Sequence, residues 1–365
     1  PPATLFGASG AGPGDRLPAA RYTPNMVDPI RLARELIDVP SVTGSELDHE
    51  RVLASLLRDR GFTIEEQEVA PGRVNLFASA GGTPRVILCS HLDTVPPFFP
   101  SSETPEEIVG RGACDTKGII AAMIAAGETL LGSGLRDFAF LFVVGEEADS
   151  IGAKEANRFF AGRGSEYVIV GEPTESRFAR ASKGALTATI RFEGVAAHSA
   201  YPERGESAIV KLASVIAAIY ATDWGTDPEL GAATPNVGVV RGGEKPNIIA
   251  AYAEAECLFR IVEPLEIVRE RLAALVAPFG GTITRALGND PVRMVVPEGK
   301  PSTVVAFNTD VPHLPALGRP LLFGPGSILN AHSATERIAK SEIIAAVETY
   351  RNLVSDLLTG NLAHA

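Results

Sequence analysis

Several things this chain has little of narrow its class before any motif is read. Its 365 residues include only three cysteines, Cys89, Cys114 and Cys257. An odd number without finger-like spacing argues against a disulfide framework or a structural zinc module, and reduced thiols in a cytoplasmic protein are the simplest reading. No apolar run reaches the roughly 18 residues of a membrane span; the longest, Gly118 to Gly127, reads as a buried helix. Basic residues are outnumbered, 33 Lys and Arg against 44 Asp and Glu, and the net charge of −11 speaks against nucleic acid or an anionic membrane as partner. Residues 1–25, rich in Pro, Gly and Ala, lack the basic start and apolar core of a secretory signal. They read as a disordered leader, with Met26 as the native start. Internal repeats and long low-complexity tracts are missing as well.

What is present suits a soluble α/β enzyme. The chain exceeds a usual single core, and its 45% hydrophobic content can fill two. Helical periodicity over 28–39 and 46–60 is followed by strands near 63–69, 74–78 and 85–90. A helix from about Lys117, a strand at 138–144, a helix at 151–160 and a strand at 167–171 continue the alternation of an α/β sheet. From about 185 the pattern becomes strand 186–192, helix 207–221, strands 236–241 and 252–261, helix 264–277 and strand 282–286. That βαββαβ order is the ferredoxin-like split unit. Strands at 304–307 and 320–323 and a helix over about 339–358 return to the first domain. The expected division is a catalytic domain over 26–184 and 298–365, with a lid and dimerisation domain inserted at 185–297.

Ligand-type residues sit in separate loops of this plan, several of them at strand ends, where open sheets build their sites. They are His91 and Asp93, Asp115, the pair Glu146-Glu147, Glu172 and His332. Imidazole and carboxylate suit borderline divalent ions such as zinc, and a catalytic ion needs one coordination position left open. If Asp115 bridges, His91 and Glu172 complete one ion's ligands while Glu147 and His332 complete the other's. Two ions about 3.5–4 Å apart can share a water and lower its pKa. Asp93, two residues after His91, is expected to orient the imidazole with its carboxylate. Glu146, preceding a proposed ligand, is the natural general base. Each piece alone has a plainer reading: a His-x-Asp at a strand end is ordinarily a loop hydrogen bond, and a Glu-Glu pair a solvated helix start. Cys89 could face the site, but a small buried residue beside a ligand loop is the simpler view.

The strings around these residues are more specific than the residues. HLDTVP at 91–96, GRGACDTKG at 110–118, GEE at 145–147, GEPT at 171–174 and GPGSILNAHSATERI at 324–338 resemble, in this order, the metal-dependent aminoacylase and carboxypeptidase superfamily. That superfamily includes acetylornithine deacetylase, succinyl-diaminopimelate desuccinylase and carboxypeptidase G. The resemblance runs from about Asp28 to Leu358, and the segment 308–338 is most similar to acetylornithine deacetylase. One departure is Ser333-Ala334-Thr335-Glu336, where an acidic residue usually precedes the glutamate.

The resemblance implies a zinc-peptidase-like catalytic domain with the inserted lid, two Zn2+ for which Co2+ can substitute, ligands at His91, Asp115, Glu147, Glu172 and His332, and Glu146 as base. It also implies a homodimer in which His198, of GVAAHSAYPE, reaches the partner's site to stabilise the oxyanion. Asn247, of KPNIIA, and Arg260, of CLFRIVEP, match positions that line the lid and face the substrate carboxylate. A guanidinium fork suits that task. A turn hydrogen bond for Asn247 and a structural ion pair for Arg260 are the plainer alternatives. Gly324 and Gly326 could offer N–H groups to the same carboxylate, or form a tight turn only. Asp310 could meet a cationic substrate side chain, or serve as a cap. The expected substrate is an N-acyl L-amino acid or short peptide: N-acetylornithine first, the desuccinylase substrate second, a carboxypeptidase-like activity third. A catalytically silent binding protein of the same fold is the alternative outside enzymes.

Overall fold

The computed structural model describes residues 27–361, so the leader at 1–25 and the start at Met26 lie outside the described residues. The first helix, Pro29–Ile37, begins where Asp28 accepts hydrogen bonds from the Ile30 and Arg31 N–H groups, with proline just inside the helix start. The cap satisfies N–H groups that have no partner within the helix, and the proline removes one such group.

A nine-stranded sheet forms the centre of the larger unit. Its middle strands, Phe138–Val143, Val86–His91, Tyr167–Val170 and Arg319–Leu322, lie side by side and parallel. The hairpin Thr63–Ala70 and Arg73–Ser79 extends one side antiparallel, and Phe178–Ser182 begins the other. Strand Phe138–Val143 is buried throughout. Phe138, Phe140 and Phe142 pack into one core with the helices Pro29–Ile37, Leu47–Asp59 and Gly118–Gly132 and with the closing helix, Lys340–Thr359.

Ala139, Leu141 and Val143 point the other way, into a second core with helix Ile151–Phe159 and the segment 311–317. A parallel sheet covered on both faces needs apolar residues at both parities, which is why these strands read as continuous apolar runs. The run expected as a buried helix is one: Gly118–Gly132 is buried on every side over its first ten residues.

The second sheet contains four antiparallel strands in the order Thr234–Gly242, Tyr252–Ile261, Gly184–Glu193, Thr282–Asn289. Helices Ala208–Ala221 and Leu265–Val276 cover one face. Tyr252–Ile261 alternates strictly, with Ala253, Ala255, Cys257, Phe259 and Ile261 under the helices and Arg260 on the opposite face. The fold is mixed α/β, with this unit inserted in the catalytic one. Sequence periodicity did not indicate strand Phe178–Ser182 or the pairing of Arg337–Ala339 with Glu107–Val109. Both are short, and neither shows a sustained alternation. Among the described residues no helix is long and apolar enough to cross a membrane.

Candidate metal centre

Three strands of the parallel sheet deliver the cluster. His91 ends its strand, Glu146 and Glu147 follow Phe138–Val143, and Glu172 follows Tyr167–Val170. Asp115 comes from the loop before helix Gly118–Gly132, and His332 from the loop before the closing helix. His332 takes a left-handed backbone, φ 61°, uncommon for a side chain with a Cβ.

Asp115 stands between two histidines: one oxygen is 3.0 Å from His91 Nε2 and the other 3.4 Å from His332 Nε2. His332 Nε2 is also 3.0 Å from Glu147, and Glu172 lies 4.0 Å from His91 Nε2. Donor atoms of His91, Asp115 and Glu147 lie within 4.8 Å of one another, as do those of His91, Glu146 and Glu172. By donor geometry alone, Glu146 therefore belongs with His91 and Glu172.

The electrostatics express crowding of like charge. Burial, and then the neighbouring Glu172, push the Glu146 carboxyl well above its usual range; burial and nearby carboxylates do the same to Glu172. Burial also opposes ionisation of Asp115, but hydrogen bonds from His332 and His91 outweigh it and hold that carboxyl low. The same contacts with Asp115 and Glu147 raise His332 to about 10. Carboxylates gathered this closely call for added positive charge, and the oxygen and imidazole donors suit divalent ions. The residues present fit such ions.

Asp93 departs from its expected contact. The His91 Nδ1 partner is the backbone carbonyl of Asp93 at 2.9 Å, and the Asp93 carboxylate stays 3.7 Å away. That carboxylate instead accepts the N–H groups of Gly145, Glu146 and Glu147 at 2.9, 3.1 and 3.2 Å and the Thr43 hydroxyl at 2.8 Å. It anchors the turn carrying the two glutamates. Sequence reasoning missed Thr43, and it left Glu336 without a role although the motif displayed it.

The remaining candidates divide. Arg260 is half-buried and makes no ion pair among the described residues; burial disfavours its charge, and Glu146 offsets part of that. Gly324 donates its N–H to Thr174 Oγ1 at 3.0 Å, so that group is not free for a substrate. A Cβ at Gly324 would meet the Glu172 carbonyl at 2.4 Å, which explains the glycine by close approach. Gly326 has φ 84°, a second reason for glycine in this turn. His198 and Asn247 are exposed on adjoining loops, where Ser199 N–H donates to the Asn247 carbonyl and Ala200 N–H to His198 Nδ1. Neither side chain contacts the cluster within the chain among the described residues. Asp310 is 2% exposed, with one oxygen unpartnered, and makes no side-chain cap. Burial pushes its carboxyl up to about 6. Cys89 is buried, and burial raises its thiol pKa, so it remains an inert core residue.

The gathered imidazole and carboxylate donors form a site fit for divalent metal ions, and similarities to known proteins make it that of a metal-dependent hydrolase acting on amide bonds. Residues 180–280 match the profile of the peptidase dimerisation domain. A peptidase M20 domain-containing protein of Schizosaccharomyces pombe is 36% identical over 338 residues, covering 89% of this chain and 84% of its own. A probable carboxypeptidase of Aspergillus flavus is 34% identical over 370 residues, 88% of each chain. The crystal structure of an M20 family metallo-carboxypeptidase from Sulfolobus solfataricus has the same fold, with a TM-score of 0.75 at 16% identity over 91% of this chain and 99% of that one. The chain belongs to the M20 peptidase family.

Proposed function

We propose that this protein is a two-metal hydrolase of carboxypeptidase type, releasing an amino acid with a free α-carboxylate from an N-acyl or peptidyl group. The observation that carries the reading is Arg260, a half-buried guanidinium without an ion-pair partner among the described residues, whose charge Glu146 favours. A planar fork left without a partner suits a carboxylate. His91, Asp115, Glu147, Glu172 and His332 would hold the two ions. Bound there, they would supply Lewis-acid polarisation of the scissile carbonyl and a more acidic water. Glu146 takes the proton of the attacking water and returns it to the leaving nitrogen. Asp93 keeps Glu146 in place through the backbone of its turn.

His198 acts in trans in this reading. Its Nδ1 accepts from Ala200 N–H, which leaves Nε2 as the donor toward an oxyanion in a partner's site. A homodimer through the inserted unit is supported by the matching dimerisation profile and by strand Thr234–Gly242, paired on one side only. Exposed Val210 and Val240 lie on the same unit.

Deacetylation of N-acetylornithine stands second. Asp310, the candidate for meeting the ornithine ammonium, is buried, and the relatives described above carry peptidase and carboxypeptidase names. The test is release of free amino acid by zinc- or cobalt-loaded protein from N-blocked dipeptides, N-acetyl-L-ornithine, N-succinyl-L,L-diaminopimelate and an acyl-glutamate, with Glu146→Gln as control. Release of the C-terminal residue, lost in the control, is expected. Preference for acetylornithine moves the assignment to the deacetylase, and turnover undiminished in Glu146→Gln refutes the base.

A further inference from the structure

Glu336 is 1% exposed and lies four residues beyond His332. Its carboxylate crosses to the loop that carries Asp115. One oxygen accepts the N–H groups of Cys114 and Asp115, both at 3.2 Å, and the other accepts from Arg111 Nη1 at 2.7 Å. Its backbone carbonyl accepts from Gly110 N–H at 3.0 Å. Arg111, 2% exposed, is fixed in turn by the Pro97 carbonyl at 3.2 Å and by the Phe99 ring 5.1 Å beneath its guanidinium. One buried ion pair thus spans two loops, and each loop carries one partner of the Asp115–His332 contact. Asp115 lies in non-helical backbone, φ −126° and ψ 82°, so no regular helix ladder holds its N–H. The Glu336 carboxylate is the partner that does.

We propose that Glu336 is a positioning residue for the metal centre: by accepting the Cys114 and Asp115 N–H groups while paired with Arg111, it sets the separation of Asp115 from His332. The inference rests on the proposed ligand roles of those two residues. Partners that orient ligands typically change metal affinity 10–100-fold when removed.

The experiment titrates metal-free protein with Zn2+ against a competing chelator and follows melting of the metal-free form in parallel. Glu336→Gln is expected to lower zinc affinity about 10–100-fold in protein that still melts cooperatively. Arg111→Lys keeps a cation on the carboxylate and leaves the Cys114 and Asp115 bonds intact; it is expected to shift melting while changing affinity less than about 3-fold, well short of that range. A merely structural pair would do the opposite, with both variants lowering melting and neither changing the affinity of folded protein; that result overturns the proposal. Asp115→Asn separates the layers. If it leaves zinc binding intact, the ligand reading and this inference both fall; if it abolishes binding while Glu336→Gln does not weaken it, only this inference falls. Should Glu336→Gln not fold, amide exchange in the unaltered protein decides. Slow exchange at Cys114 and Asp115, matching the adjoining strand pair Glu107–Val109 and Arg337–Ala339, supports the contact, and exchange at exposed-loop rates overturns it.

Discussion

Replacing Asp93 by asparagine tests whether its carboxylate holds the Glu146–Glu147 turn or orients His91. Four donors converge on that carboxylate: the N–H groups of Gly145, Glu146 and Glu147 and the Thr43 hydroxyl. Asparagine retains one oxygen; with its amide nitrogen on the Glu147 and Thr43 side the hydroxyl can turn to accept, but the Glu147 N–H then faces a donor and loses its acceptor. Leaving a buried donor unsatisfied costs about 1–3 kcal/mol, and hydrogen bonds to a charged acceptor are worth about 1.5–3 kcal/mol. Allowing for relaxation of the turn, Asp93→Asn should destabilise the metal-free protein by about 2–5 kcal/mol. A displacement of Glu146 approaching 1 Å should reduce kcat/KM by about 100-fold. Denaturant unfolding gives the first quantity and initial rates the second, while amide exchange should quicken at Gly145 to Glu147. The His91 ring N–H should keep its protection, because its partner is the Asp93 backbone carbonyl. Undisturbed exchange in the turn, together with loss of the His91 ring signal, would refute the reasoning and restore the imidazole role.

Gly324→Ala should cut kcat/KM by about 10–100-fold, because its Cβ would press the Glu172 carbonyl at 2.4 Å; unchanged kinetics would show that the strand end yields freely. Mixing His198→Ala with Glu146→Ala should restore one working site per hybrid dimer, and no recovery despite verified subunit exchange counts against catalysis in trans. Glu50 gives a pH dependence away from the cluster. Burial, then Glu66, raise its carboxyl to about 7, and one oxygen has no hydrogen-bond partner. Since the folded state holds this proton more tightly, stability from this group is fully present below the unfolded value near 4.5 and is lost as pH rises through about 7. Glu50→Gln should therefore gain about 1–3 kcal/mol at pH 8, after allowing for solvent screening, and little at pH 4. Equal gains at both pH values would remove the explanation.

The sheet was legible because three of its central strands, Val86–His91, Phe138–Val143 and Tyr167–Val170, are largely buried, apolar runs that lead into the ligand-type residues. The gathering of His91, Glu146, Glu147 and Glu172 follows from that legibility: parallel neighbours end at one edge, so residues following those runs meet there. The pairing of Asp115 with His332 was accessible only through motif resemblance, since nothing local connects loops so far apart in the chain. Strand Phe178–Ser182 was hidden by its composition, since Ala-Arg-Ala-Ser after Phe178 carries none of the β-branched or aromatic residues that mark a strand, and the contacts of the Asp93 carboxylate were hidden for a different reason. Alternation indicates the side of a strand, but not whether a carboxylate beyond its end turns to a ring or to a neighbouring loop's amides.

That distinction explains how a centre this dense in negative charge can be held before any ion arrives. Asp93 and Glu336 both direct their charge onto backbone N–H groups, of the Glu146–Glu147 turn and of the Asp115 loop respectively. Amide donors stabilise a buried carboxylate without neutralising the acids beside it. The side chains facing inward therefore remain available as oxygen donors, while the loops that carry them are fixed from behind. Removing either anchor should loosen the positions of the donors without changing their number, so a fall in metal affinity at unchanged stoichiometry is the behaviour this arrangement requires.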